Sequence, residues 1–342
     1  MKSGNPGMAR ALGGAIRIAV VTLTVLVVLW GAAAIWIDGP AGRPLAGLLV
    51  AAFAAAVALP LTRVRPLLHA CAWALVPCAA VVCWWLSIRP SNDRDWQRDV
   101  SRTPTAERRG NVLTVRDVRD FEYRAETDFT ERWEDRRYDL DRVAGLDLFV
   151  CYWGPTLYAH TILTWDFEGA PPLAASIETR KEKGESYRAV LGFFRQFELV
   201  YVLADERDVI RLRTGFRGER VFLYRLDTPP KGARALLEQY LSEANALAGQ
   251  PAWYNAFTDN CTTAIWRNVR ALSPDNPFDW RLLANGRLDR MLYERGRVDT
   301  SQPFEELRQR SDITERAKAC GSRAFFSRCI REGLPQPLAR RR

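Results

Sequence analysis

Acidic side chains are almost missing from the first ninety residues: Asp38 is the only one, against seven lysines and arginines in an apolar background. That excludes an ordinary water-facing surface for this stretch and leaves a membrane as its solvent. Histidine is nearly absent as well, with only His69 and His160 in 342 residues. Two histidines and scattered cysteines do not supply ligands at metal spacing, so neither a metal nor another cofactor is expected. There is no internal repeat and no low-complexity block, which excludes repeat architectures. No lipid-attachment cysteine follows the first apolar run, so the anchor is expected to be protein.

Three segments are long and apolar enough to span a bilayer, which takes about 20 residues with 17 at the lower edge. They are Ile16–Ile37, Leu45–Leu61 and Leu67–Ile88. The middle one is short and rich in alanine. Pro77 interrupts the third, which a membrane helix tolerates better than a soluble one. Ala32–Ala34 resembles a signal cleavage site, but the apolar run continues past it, so retention is expected. Lys2, Arg10 and Arg17 flank the first span, and Arg63 and Arg65 lie between the second and third. The positive-inside rule then predicts a cytoplasmic N-terminus and second loop, with everything after Ile88 on the non-cytoplasmic side. Trp30, Trp36, Trp84 and Trp85 fall toward the outer ends, as interfacial tryptophans do.

The remaining 252 residues carry 42 basic and 39 acidic groups, a net charge of only +3. The basic excess therefore reports membrane topology, and nucleic acid is not an expected partner. Residues 1–89 read as the anchor, 90–110 as a charged linker, 111–274 as the main domain and 275–342 as an irregular, short-helical extension. Strands are predicted over Asn111–Val118, Leu146–Trp153, His160–Phe167, Leu173–Arg180, Glu198–Leu203 and Arg220–Leu226, each with alternation or β-branched and aromatic enrichment between turn residues. Pro230–Ala248 has helical spacing, with Ala233, Leu236, Leu237, Tyr240, Leu241, Ala244 and Leu247 on one face. A second helix is predicted to begin at Asn260 or Cys261 and to stop at Ser273-Pro274, with Ile265, Val269 and Leu272 as its buried stripe. Strands followed by helices describe an α+β domain.

Cys71, Cys78 and Cys83 lie in the third span and read as small apolar residues. Cys320 and Cys329 are close in sequence in an oxidising compartment and are expected to pair. Cys151 sits in a buried strand and reads as core. Cys261 is different. Asp259 or Asn260 is a preferred N-cap, which puts Cys261 in a first helical turn, where the dipole favours a thiolate. A thiolate nucleophile needs an imidazole partner, and His160 is the only histidine beyond the spans. His160 opens one strand, while Glu178 lies on the next with Ser176 and Arg180 on the same face. Sequential strands often pair, so Glu178 is placed to orient His160. A lone Cys and a lone His also arise by chance, and the bland reading is structural for both.

Several stretches shift that balance. Ser176-Ile-Glu-Thr-Arg-Lys-Glu-Lys-Gly-Glu185, Phe194-Arg-Gln-Phe-Glu198, Tyr201-Val-Leu-Ala-Asp-Glu-Arg-Asp208 and Trp253-Tyr254 through Asn260-Cys-Thr-Thr263 resemble the Lnb periplasmic-domain family, in this order, over roughly Asn111–Ala271. The resemblance implies a circularly permuted papain-like core of the NlpC and LRAT type, with an antiparallel sheet, a strand histidine and a later helix-start cysteine. It implies Cys261 as nucleophile and His160 as base. Glu178, Arg180 and Glu185 match its charged strand motif, and Asn260 or Tyr254 is a candidate oxyanion donor beside the Cys261 N–H. Family members are implicated in N-acylation of lipoproteins. The expected activity is acyl transfer from a membrane phospholipid, through a Cys261 thioester, to an amine such as a lipoprotein N-terminus. The alternatives are a periplasmic cysteine peptidase or amidase, because the same dyad serves hydrolysis, and a non-catalytic envelope module that keeps the fold.

Overall fold

The computed structural model describes residues 6–40, 42–154, 156–322 and 324–337. The chain divides into two compact units, Met1–Pro90 with Arg188–Gln196, and Ser91–Tyr187 with Phe197–Arg342.

The first unit holds helices α1 (Pro6–Asp38), α2 (Arg43–Arg63) and α3 (Leu67–Ser87). Their mean hydropathies over the best windows are 2.5, 2.2 and 1.9, so all three are long and apolar enough to cross a membrane. At 1.5 Å per residue the two shorter ones are roughly 31 Å long, about a bilayer core. Ile35, Phe53, Val57, Ala74 and Cys78 pack them together, while Leu23, Leu26, Leu48, Leu59 and Val76 face outward. That inversion suits a lipid solvent. Residues 188–196 belong to this unit although the sequence places them within the main domain. Asp38 explains why: its carboxylate accepts from Trp85 Nε1 (2.6 Å), the Arg195 backbone N–H (3.2 Å) and Gln196 Nε2 (2.8 Å).

The second unit is a mixed sheet with helices on both faces. Its strands are β1 (Thr105–Arg109), β2 (Val112–Arg119), β3 (Glu122–Tyr123), β4 (Phe129–Thr130), β5 (Trp133–Asp139), β6 (Val143–Tyr152), β7 (His160–Phe167), β8 (Ala170–Arg180), β9 (Glu198–Ala204) and β10 (Arg220–Arg225). The main sheet runs β1-β2-β9-β8-β7-β6-β10, with β5 also on β2, and β3 and β4 form a separate pair. All its pairings are antiparallel except the single β2–β9 bridge, Arg119 to Ala204. The helices are α4 (Glu206–Arg211), α5 (Pro230–Gly249), α6 (Cys261–Leu272), α7 (Leu288–Glu294), α8 (Phe304–Ser311), α9 (Thr314–Cys320) and α10 (Phe326–Ile330).

One face of the sheet buries Phe149, Ile162, Ala174, Val202 and Leu223 against Val209 and Ile210 of α4, and against Ile313, Ala317, Phe326 and Ile330 around α9 and α10. The extension after residue 275 thus helps cover this face, and a Cys320–Cys329 disulfide joins α9 to α10 with Cα atoms 6.0 Å apart. The other face receives α5, whose seven predicted apolar positions are all buried. Trp165 Nε1 donates to the Ala233 carbonyl (2.8 Å), and the Trp165 and Tyr240 rings meet edge to face at 5.1 Å. The stretch read as a linker is also built in, with Trp96 and Val100 buried and β1 hydrogen-bonded along β2.

The buried side of α6 differs from the expected stripe. Leu272 is 45 % exposed, whereas Cys261, Thr262, Thr263, Ala264 and Asn268 are buried. These small and polar groups find hydrogen bonds, as Asn268 does from Nδ2 to Tyr201 Oη (3.1 Å) and to the Ala264 carbonyl (2.9 Å), so a polar face is buried at little cost.

Candidate functional site

The start of α6 is held by a reciprocal cap. Asn260 Oδ1 accepts from the Thr262 and Thr263 backbone N–H groups, both at 2.9 Å, and the Asn260 N–H donates to Thr263 Oγ1 at 3.0 Å. This fixes Cys261 as the first helical residue and leaves it 8 % exposed. The Asn260 side chain therefore serves as the cap, and one hydrogen of its Nδ2 goes to the Ala256 carbonyl (3.0 Å).

His160 is the first residue of β7, opposite Cys151 on β6. On the other side Ile162 is opposite Ser176, a register that carries Glu178 to the level of His160. His160 Nε2 lies 2.7 Å from Ser176 Oγ and 3.1 Å from Glu178 Oε1. Ser176 Oγ in turn donates to Glu178 Oε1 (2.6 Å). The His160 ring also hydrogen-bonds the Cys261 side chain. Strand pairing therefore brings His160 and Glu178 together, with Ser176 inserted between them, and the start of α6 adds Cys261 to complete the predicted set.

Beyond Glu178 the chain of charges continues. Arg213, on the turn Leu212–Phe216, donates to Glu178 Oε1 (2.9 Å) and to both oxygens of buried Glu219 (3.0 and 3.2 Å). The signs alternate from the thiolate of Cys261 through His160, Glu178 and Arg213 to Glu219. Burial and Arg213 both oppose protonation of His160, but the Glu178 carboxylate and the Cys261 thiolate outweigh them and lift its pKa to about 9. Burial would raise the Cys261 thiol, yet the charge and hydrogen bond of His160, with help from Thr161, bring it down from 9.0 to about 7. Burial likewise opposes ionisation of Glu178, and His160 and Arg213 reverse that, holding it well below the usual carboxylate range. Between about pH 7 and pH 9 the pair is consequently a thiolate and an imidazolium. Cys151, fully buried on β6, has its thiol pushed up by burial and stays inert.

Asn285 is a participant that sequence reasoning missed. Its Oδ1 accepts from the Ala159 N–H (2.8 Å), and its Nδ2 donates to the Ala159 carbonyl (2.6 Å) and Thr262 Oγ1 (2.6 Å), 3.8 Å from Cys261 Sγ. One buried amide thus clamps the residue before His160 to the residue after Cys261. The next residue must be glycine, because a Cβ on Gly286 would stand 2.0 Å from the Thr156 carbonyl oxygen. Asn285-Gly286 looks like any surface turn in the sequence, and Arg213 looks like any surface cation.

Of the remaining predicted residues, Tyr254 is beside the site: it is buried and hydrogen-bonded to Tyr187, and burial together with the neighbouring Cys261 charge holds its phenol protonated. Arg180 is elsewhere. Its guanidinium binds the Val100 and Ser101 carbonyls and Asn92 Oδ1 (2.9, 2.8 and 2.9 Å) and stacks on Trp96, so it fastens residues 92–101 to the sheet. Glu185 closes a local turn by accepting the Glu182 N–H (2.7 Å). Neither meets the dyad. Among the described residues no group of three or more His, Cys, Asp and Glu side chains is arranged to hold a metal ion.

Residues 129–286 match the family model of the Lnb N-terminal periplasmic domain, and this segment belongs to that family. The match takes in His160, Glu178, Cys261 and Asn285. With its three apolar helices, the chain is a membrane protein carrying a periplasmic domain. No curated protein and no solved structure matched the chain.

Iodoacetamide should alkylate Cys261 with a rate that is half-maximal near pH 7. In His160→Asn the midpoint should move up by one unit or more, because burial then acts on the thiol without the imidazolium to oppose it. Peptide mapping by mass spectrometry reads Cys261 separately, and an unchanged midpoint would show that the imidazolium does not set the thiol.

Proposed function

We propose that the domain is a cysteine acyltransferase that moves an acyl chain from a membrane phospholipid to an amine acceptor such as a lipoprotein N-terminus. The observation that carries this reading is the charge-paired Cys261–His160 couple at the head of a capped helix, in a chain with three membrane-length helices. The order of a strand histidine before a helix-start cysteine supports a permuted papain-like arrangement, the finer form of the fold. The orientation that fits has a cytoplasmic N-terminus in the inner membrane and the domain on the periplasmic side, as the basic flanks and Arg63 and Arg65 support.

The Cys261 thiolate attacks the ester carbonyl carbon of the phospholipid. The tetrahedral intermediate places its negative oxygen near the Cys261 N–H at the helix start, the donor the cap leaves for it. Its collapse breaks the bond to the glycerol oxygen, and the imidazolium gives that oxygen its proton, releasing a lysophospholipid and leaving a Cys261 thioester. An acceptor amine then attacks the thioester, neutral His160 takes the amine proton, and the amide product leaves with the thiolate restored. Nε2 of His160 is engaged by Ser176 and Glu178, which leaves Nδ1 for the sulfur and the travelling proton. No nucleotide is consumed, because the energy of an existing ester is conserved in the thioester.

Two results are expected. The full-length protein, incubated with phospholipid vesicles and no amine, should gain the mass of one acyl chain on Cys261. Cys261→Ala and His160→Ala should show none, Cys151→Ala should resemble wild type, and Glu178→Gln should slow the gain on the order of ten- to a hundredfold. Release of peptide fragments with no acyl increment would point to hydrolysis instead. Reporter fusions at residues 1 and 342 should lie on opposite sides of the membrane, and two cytoplasmic ends would overturn the orientation.

A further inference from the structure

Two cavities, about 370 and 250 Å³, share Thr156 and Arg308, and the first is also lined by Gly286, the residue after Asn285. Thr156 lies in the loop from β6 to β7 that ends at His160, and its carbonyl touches Gly286, the neighbour of Asn285. Gly286 N–H donates to the Leu157 carbonyl (3.0 Å), and Tyr152 Oη donates to the Gly286 carbonyl (2.9 Å). The wall of the cleft and the clamp on Cys261 are therefore one piece of backbone.

The lining is strongly cationic. Arg217, Arg220, Arg287, Arg290 and Arg308 line the cavities, and Asp289 is the one acid among the lining residues. Four of the arginines have carboxylate partners: Arg217 with Glu126, Arg220 with Asp312, Arg290 with Glu305 and Arg308 with Asp289. Several are also stacked, Arg290 on Phe304 (4.4 Å), Arg220 on Phe222 (4.9 Å) and Arg308 between Tyr152 and Phe222 (5.6 and 5.0 Å). Stacking and a carboxylate at one edge pre-organise a guanidinium while leaving other N–H groups to bind, a geometry that suits phosphate oxygens. Arg287 stands over the Trp280 ring at 5.9 Å and has no carboxylate partner among the described residues.

We propose that the two cavities form one phosphate-binding cleft beside Cys261, in which Arg287, Arg290 and Arg308 hold the phosphate diester of the acyl donor's headgroup. This rests on the acyl-transfer reading and names the donor as a glycerophospholipid over a neutral glyceride. The guanidiniums grip the part of the lipid that leaves, and so place the ester carbonyl at the sulfur.

The test uses full-length protein in detergent carrying Cys261→Ser, so that no acyl chemistry enters the measurement. Dihexanoyl phosphatidylglycerol, dihexanoylglycerol and glycerol phosphate are titrated calorimetrically, with and without the paired substitution Arg287→Gln and Arg290→Gln. Both arginines are exposed, and an unchanged thermal unfolding midpoint confirms that the variant is folded. Binding of the phospholipid should weaken at least tenfold in the paired variant, while the phosphate-free glyceride should bind weakly and equally to both proteins. Equal losses for both lipids, or no loss, would overturn the proposal. Glycerol phosphate binding as tightly as the phospholipid, with the same sensitivity, would assign the cleft to a soluble phosphate ester and overturn the headgroup assignment. Arginine-dependent phospholipid binding in a protein whose native Cys261 takes no acyl group would leave the cleft standing and sink the transfer reading alone.

Discussion

An isolated charge inside a protein is costly, and the site exists because five charges of alternating sign stand side by side, four of them buried and Glu178 half-buried. Glu219, Arg213, Glu178, His160 and Cys261 each have an opposite neighbour, so the last member is stable as a thiolate where burial alone would keep it protonated. Removing one partner leaves the next charge uncompensated, at a cost on the order of 3–5 kcal/mol for a fully buried pair. The elements contributing these groups are the ones the fold brings together: β7 and β8 through their register, the Leu212–Phe216 turn beside them, and α6 through its cap. Function and sheet registry are thereby one constraint, since a one-residue slip of β8 would turn Ser176 and Glu178 away from His160.

The Asn285 clamp is the second half of the design. His160 and Cys261 are 101 positions apart, one on a strand and one on a helix, and without a common support their separation would drift. A single amide bonded to Ala159 and Thr262 fixes it from behind. The chain segment that provides this amide leads on through α7 and α8 to α9 and α10, which pack on one sheet face and carry the disulfide. The C-terminal region is in that sense a support of the site.

Much of this was legible in the residues, for identifiable reasons. β7 begins at His160 and α6 at Cys261 as read, because strand alternation and an Asx cap are local signals with a direct physical basis. Helix α5 was legible down to its seven buried positions. β1 and β5 were not: Thr105–Arg109 and Trp133–Asp139 are charged, largely exposed edge strands whose pairing is dictated by β2 and not by their own pattern. The apolar stripe on α6 misled because its buried face is made of Cys, Thr, Ala and Asn, which lie inside on account of their hydrogen bonds. Asn285, Arg213 and the attachment of residues 188–196 to Asp38 depend on contacts across the fold, and no local spacing signals them.

The central claim is the charge state of His160, and the scarcity of histidine makes it measurable. Protein labelled with ¹⁵N only in histidine gives signals from His69 and His160 alone. His160 should be an imidazolium at pH 8 and lose its proton near pH 9, with Cys261→Ser lowering that midpoint. A His160 ring already neutral at pH 8, titrating near 6.5 and indifferent to Cys261, would contradict the account.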